Sequence, residues 1–247
     1  NLAWKLAAAT SGRMGPGVLE TYEMERRQHV EQMIQLALRM GRIMGPRTRL
    51  QGWLTQNAFR LLGLWPQARD YFAQMKYKPK PRIAAGFVQT RAVHAAPLGQ
   101  MLPQPRVQLT GGQRVLLDEL LGPGFALLAG AADRTALARL AAALAKSWAP
   151  LPAILIAAQG SGSLDAQEGL VEAEEAGTAL TALLSRWRGH ALLIRPDRYV
   201  AAALSLAQPD AAVDEFQQLC RTGGVAANAK PPLTSTPIVQ GSSSPQR

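Results

Sequence analysis

Between residues 106 and 222 the apolar residues come in short unbroken runs separated by helical segments, and this rhythm constrains the fold more than any other feature of the 247-residue chain. "GFALLAG" (124–130) and "PAILIAA" (152–158) have strand length and are apolar throughout, the pattern of strands covered on both faces. Between them "ADRTALARLAAALAKSW" has helical spacing, with Asp133 as the expected cap. "AGTALTALLSRWRG" reads as a second helix and "DAAVDEFQQLC" as a closing one. "HALLIRPDRYVAAAL" reads as strand, turn and strand, with Pro196 after Arg195 and Asp197 next, as a type I turn prefers.

A hairpin is expected ahead of these elements. In "RVQLTGGQRVLLDELL" Val107 and Leu109 precede a Gly111-Gly112 pair, and Val115 and Leu117 follow it. The acidic run Glu172, Glu174 and Glu175 reads as a solvated helix start. Strands alternating with helices and ending in a hairpin plus helix describe a small α/β sandwich of the thioredoxin type, assigned to residues 106–222.

Upstream the pattern is helical. "NLAWKLAAAT" places Leu2, Leu6 and Ala9 at helical spacing, a packed helix whose upstream cap is missing, so the chain reads as starting at the cut edge of something larger. After the breaker-rich "SGRMGPG", apolar positions recur at three and four from Leu19 to Met44 and stop at Gly45-Pro46; four methionines lie in this segment, read as a pliable packing face. A third helix is expected within "RLQGWLTQNAFRLLGLW", before Pro66. Residues 1–75 form this helical part. Residues 76–105 hold five prolines and no sustained helical period, an extended connector packed on its neighbours. Residues 223–247, small, polar and rich in Pro and Ser, read as a disordered tail.

Charge follows the same division. Residues 1–105 carry 15 Lys/Arg against 5 Asp/Glu, and residues 106–222 carry 10 against 12. The basic half lacks any recognisable nucleic-acid-binding motif, so a surface facing an acidic partner or an anionic cofactor is the better reading. The longest apolar runs are far shorter than the ~20 residues that cross a bilayer, and a cytoplasmic location without membrane contact is expected.

The residue types needed for common site chemistry do not converge. Cys220 is the single cysteine, which rules out an internal disulfide and the C-x-x-C pair that thioredoxin chemistry requires; it reads as a buried, inert thiol. "GPGFALLAG" and "GSGSLDAQEG" each begin G-x-G, yet Leu127 and Asp165 stand at the third-glycine position, and no G-x-x-x-x-G-K occurs. His29, His94 and His190 are isolated from metal-ligand spacing. "GSGS" near Ser161 lacks the strand-turn-helix setting of a nucleophile elbow. No catalytic, cofactor-binding or metal-ligating residue is assigned.

"NLAWKL" followed by "YEMERR" (22–27), "PKPRIAAGFV", "GQMLPQPRV", "LLGPGFALL" and "LIRPDRYVAA" resembles, as an ordered set, the downstream part of the FAD-dependent aromatic-ring hydroxylases, near those acting on 3-(3-hydroxyphenyl)propionate and related phenols. The resemblance runs from residue 1 to about 222. It implies a helical remnant of an FAD-binding monooxygenase domain, then a thioredoxin-like α/β domain without redox cysteines. It further implies a parent enzyme that hydroxylates an aromatic substrate with FAD, NAD(P)H and dioxygen, with a homodimer as one option. The family's dinucleotide motifs have no counterpart here, so the chain reads as starting after the flavin loop and as inactive alone; Asn1 would begin a helix behind the flavin, and Arg26 and Arg27 would meet carboxylates of the upstream half. The other reading is a standalone assembly module with a redox-dead thioredoxin-like domain.

Overall fold

The computed structural model describes residues 1–67, 70, 81–89, 97–160 and 169–222. Helices α1 (Leu2–Thr10), α2 (Gly17–Met44) and α3 (Arg49–Gly63) come first. The α/β part follows as β1 (Arg106–Leu109), β2 (Arg114–Leu116), α4 (Leu117–Leu121), β3 (Ala126–Gly130), α5 (Arg134–Ser147) and β4 (Ala153–Ala158). It ends with β5 (Leu170–Glu175), α6 (Ala179–Ser185), β6 (His190–Ile194), β7 (Val200–Ser205) and α7 (Pro209–Thr222).

The seven strands form one mixed sheet in the order β2-β1-β5-β4-β3-β6-β7. Strands β3, β4 and β5 run parallel, while β1 on one side and β6 with β7 on the other pair antiparallel. The unbroken apolar runs have the cause expected of them, since successive residues of β3, β4 and β6 enter two separate cores. Leu127, Leu155 and Leu193 face α5 and α7, where Leu137, Leu140, Leu144 and Phe216 complete the layer. Leu128, Ile154 and Leu192 face α4 and α6 with Leu117, Leu121, Leu180 and Leu184.

Four expectations change. The acidic run is strand β5, not a helix start. It lies between β4 and β1, and two of its carboxylates are held by neighbouring elements. Buried Glu175 accepts the backbone N–H of Leu180 (2.9 Å) and Thr181 (2.8 Å) at the start of α6, and buried Glu172 pairs with Arg134 at 2.7 Å. Asp133 does not cap α5 with its side chain; its carboxylate accepts from the Gly189 N–H at 3.3 Å. Helix α1 buries a different face from the one its leucines mark. Leu2 and Leu6 are exposed, and the fully buried residue is Lys5.

Helix α2 is covered only near its start, through Val18, Thr21 and Glu25, and α3 buries no residue. Ile34, Leu38, Met44, Trp53 and Trp65 are exposed, so the methionine-bearing stretch is not a packed face over most of its length. The described connector residues, 81–89 and 97–105, run beside the start of β7, as Gly99 N–H to Val200 O (2.9 Å) and Gln89 N–H to Ala201 O (2.7 Å) record. The connector's other residues and the proposed tail lie outside the described residues.

Gly99 is the tightest point of this strapping. Its φ is +68°, and a Cβ there would fall 1.9 Å from the Ile83 carbonyl oxygen. Gly99→Ala is therefore expected to cost at least about 2 kcal/mol in urea unfolding. Gly124→Ala, where a Cβ meets nothing within 4 Å, should stay within about 1 kcal/mol of the native chain; equal behaviour of the two variants would refute the strapping argument.

Candidate functional site

Four ionisable side chains that are far apart in sequence meet in one buried cluster. Lys5 comes from α1, Glu25 from α2, and Arg195 and Asp197 from the turn between β6 and β7. That turn closes as expected around Pro196, with the Arg198 N–H bonded to Arg195 O at 2.9 Å and Arg198 at φ 69°. Lys5, Glu25 and Arg195 have no exposed side-chain surface.

Glu25 is the hub. Its Oε1 accepts from Lys5 Nζ (2.8 Å), Arg195 Nη1 (3.0 Å) and the Phe87 backbone N–H (2.9 Å). Its Oε2 accepts from Arg195 Nη2 (2.7 Å) and Asn1 Nδ2 (2.7 Å). Arg195 uses all five of its N–H groups. Besides the two bonds to Glu25 it donates Nη1 to Phe87 O (3.0 Å), Nε to Asp197 Oδ1 (2.9 Å) and Nη2 to Asp197 Oδ2 (2.8 Å). Asn1 spans both carboxylates, reaching Asp197 Oδ2 at 2.8 Å. Lys5 also donates to Thr21 Oγ1 at 2.6 Å, and that hydroxyl donates to Val18 O.

Aromatic rings seal the cluster. The guanidinium of Arg195 lies 5.1 Å from the Trp4 ring centroid and 5.8 Å from that of Tyr199. Trp4 meets Phe87 and Phe125 edge-on at 5.4 and 5.5 Å, and Phe125 meets Phe216 of α7 at 6.0 Å. Gly86 has φ +108° and passes so close to Glu25 that a Cβ would lie 2.5 Å from its Cγ. The main chain is thus shaped around the carboxylate.

Two cations and two anions leave the cluster neutral, and the environment sets which member gives way first. Burial works against the Glu25 carboxylate, but the hydrogen bond and charge of Arg195, with Lys5 behind them, outweigh it and hold the group at about 2. Burial dominates for Lys5 and brings its ammonium down to about 8 although Glu25 opposes the shift. Burial also opposes the charge on Arg195, yet Glu25 and Asp197 together raise it. With every guanidinium proton engaged and five donors on Glu25, the cluster is built to hold elements together. A pocket of about 200 Å³ lies beside it, walled by Arg26, His29, Ile83, Met101 and Tyr199.

The residues discussed from sequence sit elsewhere or play other parts. Arg27 pairs with Glu23 at 3.1 Å on the exposed face of α2, and Arg26 is half-buried at the pocket. His190 is bonded locally, with Nδ1 3.3 Å from Arg188 O and its ring against Trp187. His94 and Ser161 lie outside the described residues. Cys220 is buried against the α7 core, and desolvation pushes its thiol up to about 12. Among the described residues no group of His, Cys, Asp and Glu converges to hold a metal.

Residues 99–219 match the HcaD C-terminal domain, and residues 1–37 match an FAD binding domain family. The chain is therefore a relative of the C-terminal portion of the FAD-dependent aromatic-ring hydroxylases. Over 210 residues it is 37% identical to 3-(3-hydroxy-phenyl)propionate/3-hydroxycinnamic acid hydroxylase 2 of Burkholderia vietnamiensis, covering 82% of this chain and 38% of that protein. The Mycolicibacterium smegmatis 3-(3-hydroxy-phenyl)propionate/3-hydroxycinnamic acid hydroxylase is 35% identical, with 82% and 37% covered. The chain thus spans under two fifths of the length of these relatives. Aklavinone-11 hydroxylase, solved as a ternary complex with FAD and aklavinone, shares the fold at a TM-score of 0.58 and 24% identity, covering 90% of this chain and 38% of that one. The flavin-dependent monooxygenase PieE does so at 0.57 and 19%, covering 90% and 43%.

Acid exposes the hub directly. Glu25 is held near 2, below its unfolded value of 4.5, so its contribution is complete above pH 4.5 and is lost as pH falls toward 2, about 3 kcal/mol in all. Lys5 acts in a separate window: its lowered value makes stability rise with pH between about 8 and 10.5. Urea midpoints measured across pH should show both slopes. Glu25→Gln should flatten the acid one and Lys5→Met the alkaline one; slopes unchanged in the variants would contradict this assignment.

Proposed function

We propose that this chain is the C-terminal portion of an FAD-dependent monooxygenase that hydroxylates a phenolic substrate of the 3-(3-hydroxyphenyl)propionate type, with NAD(P)H and dioxygen as co-substrates. The observation that carries this reading is the 32–37% identity over 82% of the chain to hydroxylases named for that substrate. In this reading residues 1–75 are the helical end of the FAD and substrate domain, 76–105 the connector, 106–222 the second domain and 223–247 a tail. A thioredoxin-like description of 106–222 is supported by its core order β4-β3-β6-β7, in which β3 and β4 are joined through α5 and β6 and β7 form a hairpin followed by α7. We place the enzyme in the cytoplasm and leave room for a homodimer.

FAD supplies the oxygen chemistry in such an enzyme. The residues present do not fit it. Among the described residues no glycine-rich strand-to-helix turn offers backbone N–H groups to a pyrophosphate, and at the start of α1 both Nδ2 protons of Asn1 are already given to Glu25 and Asp197. What the chain supplies is a brace, since the Glu25 cluster fixes α1 and α2 against the second domain. Arg26, half-buried at the pocket rim, is proposed to meet a carboxylate of the upstream half.

Two measurements test the proposal. Titrating FAD with the purified chain should give no saturable fluorescence quenching, and one-to-one quenching would overturn the claim that the flavin site lies elsewhere. Genomic DNA upstream of the Asn1 codon should encode in frame a G-x-G-x-x-G and a Gly-Asp motif; a start codon directly at this position would overturn the parent enzyme itself.

A further inference from the structure

We infer that the α/β domain carries a built socket for the corner formed by α1 and the start of α2 through Glu25, and that the two are one cooperative unit whose attachment does not need the covalent connector. The match to the HcaD C-terminal domain begins only at residue 99, yet Arg195 inside it is buried by residues outside it. Without residues 1–25 and 81–89, three of the five N–H groups of Arg195 lose their acceptors, namely both bonds to Glu25 and the one to Phe87 O. Asp197 alone would remain as its partner within the domain. A buried guanidinium left half-paired is among the costliest defects a fold can carry.

The complementarity extends beyond that one bond. Each side brings one cation and one anion, Lys5 with Glu25 on the helices and Arg195 with Asp197 on the turn, and the crossed pair Glu25–Arg195 is bidentate. Met14 and Val18 are members of the same core cluster as Leu137, Leu193 and Phe216, with Trp4 packed against it. The second core faces only the α/β domain and the connector, so the helices complete one side of the sheet and leave the other alone. An apolar contact together with a neutral, fully paired ionic joint gives an interface that leaves none of these four charges unpaired.

The test uses the full chain with a protease recognition sequence inserted within residues 71–80, which lie outside the described residues. After cutting, the two pieces should sediment as a single 1:1 species at micromolar concentration and pH 7, and should unfold in urea in one transition. Exposed Trp53 on α3 and Trp65 just beyond it offer a second apolar contact between the pieces, so cut variants discriminate. Glu25→Gln, which keeps the shape of the side chain, and Arg195→Met should weaken the association at least about 100-fold, while Lys5→Met stays within about tenfold because Glu25 keeps Arg195. Separation of the native pieces, two distinct transitions, or variants that associate as tightly as the native pieces would each overturn the inference. Should Arg195→Met fail to fold before cutting, the Glu25→Gln comparison decides alone.

Discussion

One carboxylate organises this molecule. Glu25 accepts hydrogen bonds from Lys5, Arg195, Asn1 and the Phe87 main chain, so groups up to 170 residues away from it in sequence are fixed relative to one another through two oxygen atoms. Burying such a group is costly, and it is tolerated only because the bidentate Arg195 and the second cation outweigh the lost hydration. The consequence is geometric. Helices α1 and α2 have one way to sit on the sheet, since a shifted register would strand a buried charge.

The apolar parts follow from that arrangement. The sheet is buried on both faces by the two-sided packing of its unbroken apolar runs, and one of the two cores is completed by Met14 and Val18 from the helical region. Helices α2 and α3 beyond Glu25 are not recruited, and they carry the largest exposed apolar side chains. The site is therefore a joint, and its residues act by holding positions.

The strands were legible because buried strands leave continuous apolar runs, and the Gly111-Gly112 hairpin and the Pro196 turn were legible because turn chemistry is local. The joint was not. Lys5 stands between the helically spaced Leu2 and Leu6, Glu25 lies in the charged run "YEMERR", and Arg195 and Asp197 flank the proline of a turn. Each has an ordinary local explanation, and only the tertiary fold brings them together. Once the fold buries Lys5 it needs an acidic partner from another element, because its own helix carries none. Glu172 and Glu175 read as a solvated helix start for the same reason, because their partners Arg134 and the α6 backbone N–H groups are not apparent in the local pattern.

The measurement that tests the joint most directly is a double-mutant cycle between Glu25 and Arg195, with Glu25→Gln, Arg195→Met and the pair compared by urea unfolding at pH 7. If the carboxylate and the guanidinium hold each other in the folded protein, the double variant should be less damaged than the two single losses added together, with a coupling of at least about 2 kcal/mol. Additive losses would mean that the two side chains stabilise the fold independently, and the joint described here would not exist.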